Sequence, residues 1–386
     1  MVGQAPRALE SARGGASAIS EDAFRPFEIA SIASREGICP VRESCVAALR
    51  FGVLRSFSRP SSTPRRVLVV APLAGGYPIV LRDLVIGLLR ELSEVAITDW
   101  PDARYVPKGC GAFGLADNIL HVEEMMRRLG PELHVVAVCQ GVVPALAATA
   151  LLSASRGKAA PLSLTLIGGP VDPLANPSRV VRLLRGRSLG WFRQNVLDTV
   201  GAAYPGRGRR IYSRTRQLET LSAYALRHIV NGGELFWKML LDDGEDPVRF
   251  PFSSLCWSLM DIPAELLLDT VREVFHRSSL ARGTLSAEGR RIDLRTIRRT
   301  ALMTIEGEED DIAALGQTSA AHALCPSIPE ARRRRLVVPQ SGHFSLFHGE
   351  IARRTVLPAI VELIEDTQRR KKLRGSVPRA QSLEVA

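Results

Sequence analysis

One cysteine of the sequence stands where a nucleophile would act. Cys139 follows the apolar run at residues 133–138 and precedes an alanine-rich stretch of helical character that begins at Val142. The pattern Ala137-x-Cys139-x-Gly141 predicts a tight turn from a strand into a helix, which lifts the attacking atom out of a sheet. A thiol at that turn indicates covalent catalysis, with sulfur in the place that a serine oxygen usually takes.

A thiol nucleophile needs a base to accept its proton and an acid to orient that base. Asp310 and Asp311 follow a predicted strand at residues 301–305, and His343 follows a later predicted strand. Both groups lie at the carboxyl ends of strands, where open α/β sheets place their sites. The chain order of nucleophile, acid and histidine therefore predicts a triad of Cys139, an aspartate and His343.

Two neighbouring aspartates compete for the role of the orienting acid. Asp310 is the first aspartate after the strand, whereas Asp311 could cap a helix that begins near Ala313. We favour Asp310, although a shift of one residue in the loop would exchange the two. The other six histidines lie in predicted helices or strands, or lack this context, and are expected to be structural.

The negatively charged oxygen that forms during acyl transfer needs two backbone donors. The N–H of Gln140, directly after the nucleophile, is the first predicted donor. The second is expected from the loop after the first predicted strand, at residues 73–76, and Ala74 is the favoured residue. Glycines in this loop would let the backbone approach the oxygen, although a plain tight turn is equally compatible with them. This chemistry requires no metal and no organic cofactor.

An alternation of strands and helices would position these residues. Predicted strands lie at residues 66–71, 95–98, 133–138, 162–167, 301–305 and 336–338. Predicted helices lie at residues 78–92, 115–129, 142–152 and 351–365. Such alternation gives a mostly parallel sheet with helices on both faces. Together with the turn at Cys139, it predicts an α/β-hydrolase fold.

The alternation stops in the middle of the chain, where long helical patterns and three of the four tryptophans occur. We interpret this block as a helical lid inserted between sheet strands, and the alternative is a second packing domain.

Residues 41–56, near the start, show mixed helical periodicity. The predicted units are a partly disordered N-terminal extension at residues 1–66, the core at 67–172 and 300–368, the lid at 173–299, and a disordered basic tail at 369–386.

The composition is that of a globular protein with a large core. Of the 386 residues, 46% are hydrophobic and 24% are charged, and the net charge of +11 comes mainly from arginine. Dispersed positive charge suits an acidic surface or nucleic acid, but it is often only a solvated exterior, which we favour here. No basic motif with interleaved aromatic residues and no Gly-Lys-Ser/Thr loop occurs, so no nucleic-acid partner is expected.

Cysteine usage and hydropathy indicate a cytoplasmic protein. The six cysteines are scattered without metal-ligand spacing, and the first twenty residues contain no apolar signal segment. Free thiols in a reducing compartment are therefore expected. The longest apolar stretch, residues 135–152, contains Gln140, Gly141 and Pro144, which favours a buried strand and helix over a transmembrane segment.

Motifs in the core and in the lid follow one another in a recognisable order. They are Ala71-Pro72-Leu73, Leu81-Arg82, Val138-Cys139-Gln140, Gly168-Gly169-Pro170-Val171-Asp172, Gly206-Arg207-Gly208-Arg209-Arg210, Asp261-Ile262-Pro263-Ala264-Glu265, Arg282-Gly283-Thr284-Leu285, Glu306-Gly307-Glu308, Asp310-Asp311-Ile312, Gly316-Gln317-Thr318 and Gly342-His343. In this order they resemble the intracellular poly(3-hydroxybutyrate) depolymerases, which are the short-chain polyhydroxyalkanoate depolymerases of the bacterial cytoplasm. The resemblance covers about residues 67–366.

This resemblance implies an enzyme that hydrolyses the ester bonds of stored poly(3-hydroxybutyrate), or of its oligomers, at the surface of cytoplasmic storage granules. It implies Cys139 as the nucleophile, Asp310 as the orienting acid and His343 as the base, acting through a thioester acyl-enzyme. The implied partners are the granule surface and the polymer ester. The assembly state stays open and includes a homo-oligomer.

Two departures from the family flank the predicted oxyanion site, and two other functions compete with hydrolysis. Gly141 stands where the family commonly has proline, and Ala74-Gly75-Gly76 stands where Ser-Gly-His is common. A polyhydroxyalkanoate synthase uses a similar triad, but it carries glycine two residues before the cysteine, where this chain has Ala137. An inactive granule-binding paralogue is the other alternative, and the two departures are its only support.

Overall fold

An eight-stranded sheet forms the centre of the protein. The computed structural model describes residues 19–34, 37–60, 65–74, 76–155, 160–241 and 258–375. The strands of the sheet are β1 (Arg42–Leu49), β2 (Gly52–Ser58), β3 (Arg66–Val70), β4 (Glu94–Asp99), β5 (His134–Val138), β6 (Ser163–Ile167), β7 (Ala301–Gly307) and β8 (Arg333–Val338). They lie in the order β1-β2-β4-β3-β5-β6-β7-β8. Strand β2 is antiparallel to both neighbours, whereas β3 to β8 run parallel.

The central strands are buried on both faces. Every residue of β5, β6 and β7 is buried, as is every residue of β3 except Arg66. Parallel strands covered by helices consist of continuous aliphatic runs rather than alternating ones, because neither face meets water. The six strands predicted from such runs are therefore confirmed, with shifts of one to three residues at their ends.

Helices cover the two faces of this sheet. The helix Leu115–Leu129 packs against the helix Val142–Ala154, and the helix Arg82–Glu91 packs against the C-terminal helix, Leu357–Gly375. The helices are α1 (Arg82–Glu91), α2 (Leu115–Leu129), α3 (Val142–Ala154), α4 (Arg179–Arg185), α5 (Leu189–Asn195), α6 (Arg214–Asn231), α7 (Glu234–Leu241), α8 (Ala264–Asp269), α9 (Ala321–Leu324), α10 (Gly349–Ile351) and α11 (Leu357–Gly375). Short π-helical turns continue α8 over Thr270–His276 and join α10 to α11 over Ala352–Val356.

The N-terminal extension supplies two strands of the sheet, so the helical periodicity assigned to residues 41–56 is wrong. These residues form the hairpin of β1 and β2, and β2 lies between β1 and β4. A charged residue masks the strand pattern: the Arg55 guanidinium in β2 is buried, and its Nε donates to Asp99 Oδ2 in β4 at 2.9 Å. Residues 1–18, which are expected to be disordered, lie outside the described part of the chain.

The basic tail begins as helix rather than as disordered chain. Helix α11 continues to residue 375, seven residues into the segment predicted to be disordered. Ile360 and Ile364 are buried against the sheet, and Arg334 of β8 forms an ion pair with Glu362 at 3.0 Å. Beyond the predicted end at residue 365, Asp366 forms an ion pair with the same Arg334, and Lys371 forms one with Glu132. Residues 376–386 lie outside the described part.

The described residues between β6 and β7 include helices α4 to α8 and a small antiparallel sheet of Asp198–Thr199, Arg210–Tyr212 and Ile262–Pro263. A buried ion pair joins this block to the core: Arg104 donates to Asp261 through two nitrogens, at 2.9 and 2.8 Å. The same carboxylate accepts the backbone N–H of Arg214 at the start of α6, at 2.8 Å. Among the described helices, none combines the length and apolar character needed to cross a membrane.

Candidate active site

Cys139 occupies a strained turn directly after β5. Its backbone φ is +52°, in the left-handed region that non-glycine residues rarely adopt. Residues Cys139–Gly141 form a single 3-10 turn that leads into α3. The turn leaves the thiol half-buried rather than enclosed in the core. Local strain of this kind persists only where the surrounding structure enforces it, and here it holds the thiol at the carboxyl edge of the sheet.

Two glycines let the chain pass close to this turn. A Cβ at Gly141 would lie 2.5 Å from the Val70 carbonyl oxygen at the end of β3. A Cβ at Gly169, after β6, would lie 2.3 Å from Val142 Cβ and 2.7 Å from the Cys139 carbonyl oxygen. Any side chain at either position would displace backbone, so the turn requires glycine at both.

Asp310 and His343 form a buried hydrogen-bonded pair. His343 Nδ1 lies 2.7 Å from Asp310 Oδ2, and both side chains are almost fully buried. The other oxygen of Asp310 accepts the backbone N–H groups of Ile312 at 2.9 Å and Ala313 at 2.8 Å. One carboxylate therefore orients the imidazole and also fixes its own loop. The sequence suggested that Asp311 could cap a helix near Ala313, but the described chain forms no helix there, and it is Asp310 that accepts these N–H groups.

His343 also lies beside the Cys139 thiol, between the acid and the sulfur. Burial disfavours the charged imidazolium, but attraction to Asp310 and Cys139 and hydrogen bonds with both outweigh burial and raise the pKa of His343 well above its ordinary value of 6.5. Gly168 makes room for the ring, because it adopts a φ of +53° and a Cβ there would lie 3.2 Å from His343 Cε1. The three predicted residues are therefore brought together.

Asp311 faces away from His343, towards helix α6. Its Oδ1 accepts the Tyr224 hydroxyl at 2.7 Å, and its Oδ2 forms an ion pair with Arg227 on the same helix, α6. Burial raises the pKa of Tyr224, and the neighbouring Asp311 carboxylate raises it further. The hydroxyl therefore remains a neutral donor to Asp311.

The Gln140 side chain occupies the loop predicted to supply the second oxyanion donor. Its Oε1 accepts the backbone N–H of Leu73 at 3.1 Å and that of Ala74 at 2.8 Å. Its Nε2 lies 3.5 Å from Thr270 Oγ1 on the lid side. The N–H of Ala74 is therefore already engaged, and a substrate oxygen could reach it only by exchange with the Gln140 amide. Gly75 lies outside the described residues.

Two glutamates near the site have no counterpart in the sequence prediction. Glu306, the buried penultimate residue of β7, accepts through Oε1 from the N–H groups of Gly316, Thr318 and Ser319 at 2.8 to 3.1 Å. Glu234, the first residue of α7, accepts the backbone N–H of Phe344, next to His343. Glu306 carried one sequence signal, a carboxylate inside an otherwise apolar strand. Glu234 carried none.

The described residues contain no group of three or more histidine, cysteine or acidic side chains that could hold a metal ion. The five cysteines in the described part of the chain are free. Cys256 lies outside it.

Comparisons with known proteins bear on the fold and on the family. Residues 168–368, more than half of the chain, match the family model described as PHB de-polymerase C-terminus. No curated protein matches the sequence. A hypothetical protein from Pseudomonas aeruginosa superposes with a TM-score of 0.50 at 12% identity, over 89% of this chain and 98% of that one. Together with the strand order, this likeness confirms the predicted α/β-hydrolase fold.

Two further solved structures are similar at lower TM-scores. A carboxylesterase structure from Nitrososphaera gargenis has a TM-score of 0.48 at 12% identity, over 87% of this chain and 99% of that one. A hydrolase from Pseudomonas aeruginosa has a TM-score of 0.47 at 12% identity, over 88% of this chain and 97% of that one.

Proposed function

The chain belongs to the PHB depolymerase family, and from this premise we propose that it hydrolyses ester bonds of stored poly(3-hydroxybutyrate) or of its oligomers. Family membership supports ester hydrolysis as the class of reaction. The observation that carries the proposal is the buried Asp310–His343 pair beside a thiol on a strained turn. A core-packing cysteine needs neither the strain nor the histidine.

The proposed reaction is acyl transfer in two steps. His343 accepts the Cys139 proton, and the thiolate attacks the ester carbonyl to give a tetrahedral intermediate. Collapse of this intermediate breaks the bond to the alcohol oxygen, which receives the proton from His343, and a thioester remains. Water, deprotonated by His343, then attacks the thioester, and the hydroxy acid leaves as the thiol regains its proton. Asp310 keeps the imidazole oriented throughout.

Two backbone groups are proposed to stabilise the oxyanion, the N–H of Gln140 and the N–H of Ala74. Each such donor contributes about 3 kcal/mol to the stability of the transition state. Because the Gln140 amide oxygen accepts the Ala74 N–H in the resting site, we propose that substrate binding exchanges it for the developing oxyanion. The amide would thus keep the donor pre-oriented and hydrogen-bonded until the substrate arrives.

Apolar side chains on the lid support contact with a polymer surface. Leu226, Ile229 and Val230 on α6 and Trp237 on α7 are exposed, although they are large hydrophobic residues. A water-exposed apolar patch costs free energy unless a hydrophobic surface covers it. We propose that it meets the storage granule in the cytoplasm, while dispersed arginines face anionic material on the granule. A monomer and a homo-oligomer are both compatible with this arrangement.

The test is release of soluble 3-hydroxybutyrate from native amorphous polymer granules. Wild-type protein is expected to release it, and Cys139→Ala is expected to be at least about 1000-fold slower, because removal of a nucleophile removes the covalent route. Cys39→Ala is the matched control, since this thiol lies on the hairpin of Ser31–Ser34 and Gly37–Pro40, outside the central sheet. Equal release by wild type and Cys139→Ala would refute the proposal. Consumption of hydroxyacyl-CoA with polymer growth would assign the site to a synthase instead.

A further inference from the structure

Two helices of the lid contact the two loops that hold Asp310 and His343. Helix α6 contacts the loop after β7, and helix α7 contacts the loop after β8. Any role of these contacts in the reaction rests on the proposed function, because it requires Asp310 and His343 to serve Cys139.

The first contact fixes the loop after β7 to α6, and we call this loop the acid loop because it carries Asp310. Asp311, directly after Asp310, accepts the Tyr224 hydroxyl at 2.7 Å and forms an ion pair with Arg227. His228 Nε2 on the same helix lies 3.5 Å from the same carboxylate. The two neighbouring aspartates thus point in opposite directions, one to His343 and one to the lid.

The second contact fixes the loop after β8 to α7, and we call this loop the base loop because it carries His343. Glu234 Oε2 accepts the N–H of Phe344 at 3.0 Å, and Oε1 accepts the N–H of Ser345. These are the first two residues after His343, and they begin the short 3-10 turn Phe344–Leu346. The carboxylate therefore holds the backbone turn that carries the imidazole, since the N–H groups at the start of a helical turn have no partner within the turn itself.

Packing around the second contact is tight. A Cβ at Gly342, directly before His343, would lie 2.2 Å from Glu234 Oε2, so glycine at this position makes room for the carboxylate. Lys238, one turn further along α7, is buried and donates to the His348 carbonyl oxygen at 2.8 Å. Phe344 packs against the buried Ala225 of α6. Helix α7 therefore contacts the base loop and the segment after it through polar groups, and α6 contacts the base loop through apolar side chains.

We infer that Glu234 is a positioning residue for His343 and that the lid, through helices α6 and α7, is part of what aligns the base. Withdrawal of Glu234 would free the turn after His343 and loosen the hydrogen bonds of the imidazole with Asp310 and Cys139. Because Asp311 ties the loop of Asp310 to the neighbouring helix α6, both partners of the thiol depend on the position of the lid. A polymer segment that moves the lid would thereby change the reactivity of Cys139.

The test compares Glu234→Ala, Glu234→Gln and a matched lid control, Glu219→Gln. Glu219 lies on α6, is exposed, and pairs only weakly with Arg216 at 3.4 Å. Two readouts are needed: kcat and KM with para-nitrophenyl butyrate, which is soluble and does not require a granule, and the rate of Cys139 alkylation by iodoacetamide as a function of pH. Mass spectrometry of the Cys139 peptide separates this thiol from the others.

Glu234→Ala is expected to lower kcat about tenfold or more with a smaller change in KM, because displacement of a reacting group by about 1 Å can cost about 100-fold in rate. It is also expected to shift the pH profile of alkylation, which reports the interaction of the thiol with His343. Glu234→Gln keeps an oxygen acceptor for one N–H and is expected to lie between wild type and Glu234→Ala. Glu219→Gln is expected to match wild type in both readouts.

A purely structural role for Glu234 would lower the Tm and leave kcat and the alkylation profile of the folded variant unchanged, and this result would overturn the inference. If Glu234→Ala does not fold, Glu234→Gln decides, and wild-type values for both of its readouts would also overturn the inference. Failure of the proposed function gives a different pattern, because Cys139→Ala would then retain turnover whatever the Glu234 variants do.

Discussion

Gln140 combines two tasks at the proposed site. Its backbone N–H is the first proposed oxyanion donor, and its side-chain oxygen holds the N–H groups of Leu73 and Ala74. An amide oxygen is neutral and accepts two hydrogen bonds, so it resembles the oxyanion in geometry without its charge. The resting site therefore keeps its donors oriented before a substrate binds, which reduces the reorganisation needed during the reaction.

Gln140→Leu is expected to lower kcat for a soluble ester about tenfold. Leucine has a similar size but removes the acceptor, so the loop at Leu73 and Ala74 loses its fixed position and part of the stabilisation that a donor provides. Gln140→Glu keeps an acceptor but puts negative charge near the developing oxyanion, and is expected to be slower than Gln140→Leu. Steady-state kinetics with para-nitrophenyl butyrate measure both.

The control for the Gln140 variants is Gln194→Glu, because Gln194 is exposed on α5. Wild-type kcat in both Gln140 variants would show that the loop does not act on the oxyanion.

The side chains that the sequence could reveal are those whose role follows from their place after a strand. Cys139, Asp310 and His343 were predicted because each follows a strand at the same edge of the sheet. The contacts of Gln140 and Glu234 could not be predicted, because their partners lie 66 and 110 residues away and depend on the path of two loops. The choice between Asp310 and Asp311 likewise required the loop itself.

The loop after β7 is organised by a buried carboxylate rather than by a helix. No helix begins near Ala313 in the described chain; the first one after β7 is α9 at Ala321. Instead, Glu306 Oε1 accepts hydrogen bonds from three backbone N–H groups of residues 316–319. The Thr318 hydroxyl donates to the Gly169 carbonyl oxygen after β6. This arrangement fixes the segment that follows Asp310 against the neighbouring strand end.

Glu306→Ala is expected to lower the free energy of unfolding by about 3 kcal/mol, because it leaves several buried N–H groups without an acceptor at about 1 to 3 kcal/mol each. Glu306→Gln keeps an acceptor oxygen and is expected to cost less. Urea unfolding measures both.

Glu308→Ala, two residues along, is the control for the Glu306 variants. Glu308 is exposed and accepts only the N–H of Gln340, at 3.0 Å. Equal losses of unfolding free energy in Glu306→Ala and Glu308→Ala would contradict the organising role of Glu306.

Strands buried on both faces could be predicted from the sequence, whereas the hairpin of β1 and β2 could not. Arg55 interrupts β2 with a charge, and its ion pairs with Asp99 in β4 and Glu43 in β1 make its burial tolerable. The helix α11 was predicted too short for a related reason, since beyond residue 365 it forms ion pairs through Asp366 with Arg334 of β8 and through Lys371 with Glu132. In both cases, partners remote in sequence decide the local structure.

The helical block between β6 and β7 is connected to the core through charged groups. The Arg104–Asp261 pair is buried, and the contacts of Asp311 with α6 and of Glu234 with the loop after β8 also cross between the two parts. A buried pair contributes little net stability while intact, but removing one partner is costly because it leaves an uncompensated charge. These contacts hold α6 and α7 against the loops that carry Asp310 and His343.

The stability of the whole protein is expected to depend on pH through His343. Its pKa is raised in the folded state, chiefly by attraction to Asp310 against the opposing effect of burial, so the imidazolium stabilises the fold. That stabilisation is fully present below the unfolded pKa of about 6.5 and is lost as pH rises through the folded pKa. The loss follows a slope of at most about 1.4 kcal/mol per pH unit.

Asp310→Asn, made in the Cys139→Ala background to exclude titration of the thiol, is expected to abolish this slope. Asparagine still offers an oxygen to the N–H groups of Ile312 and Ala313, whereas the charge that raises the pKa of His343 is gone and burial then favours the neutral ring. Urea unfolding from slightly acid to alkaline pH measures the slope in Cys139→Ala and in the double variant. Identical slopes would mean that Asp310 does not control the charge of His343, and that the acid in the proposed triad must be sought elsewhere.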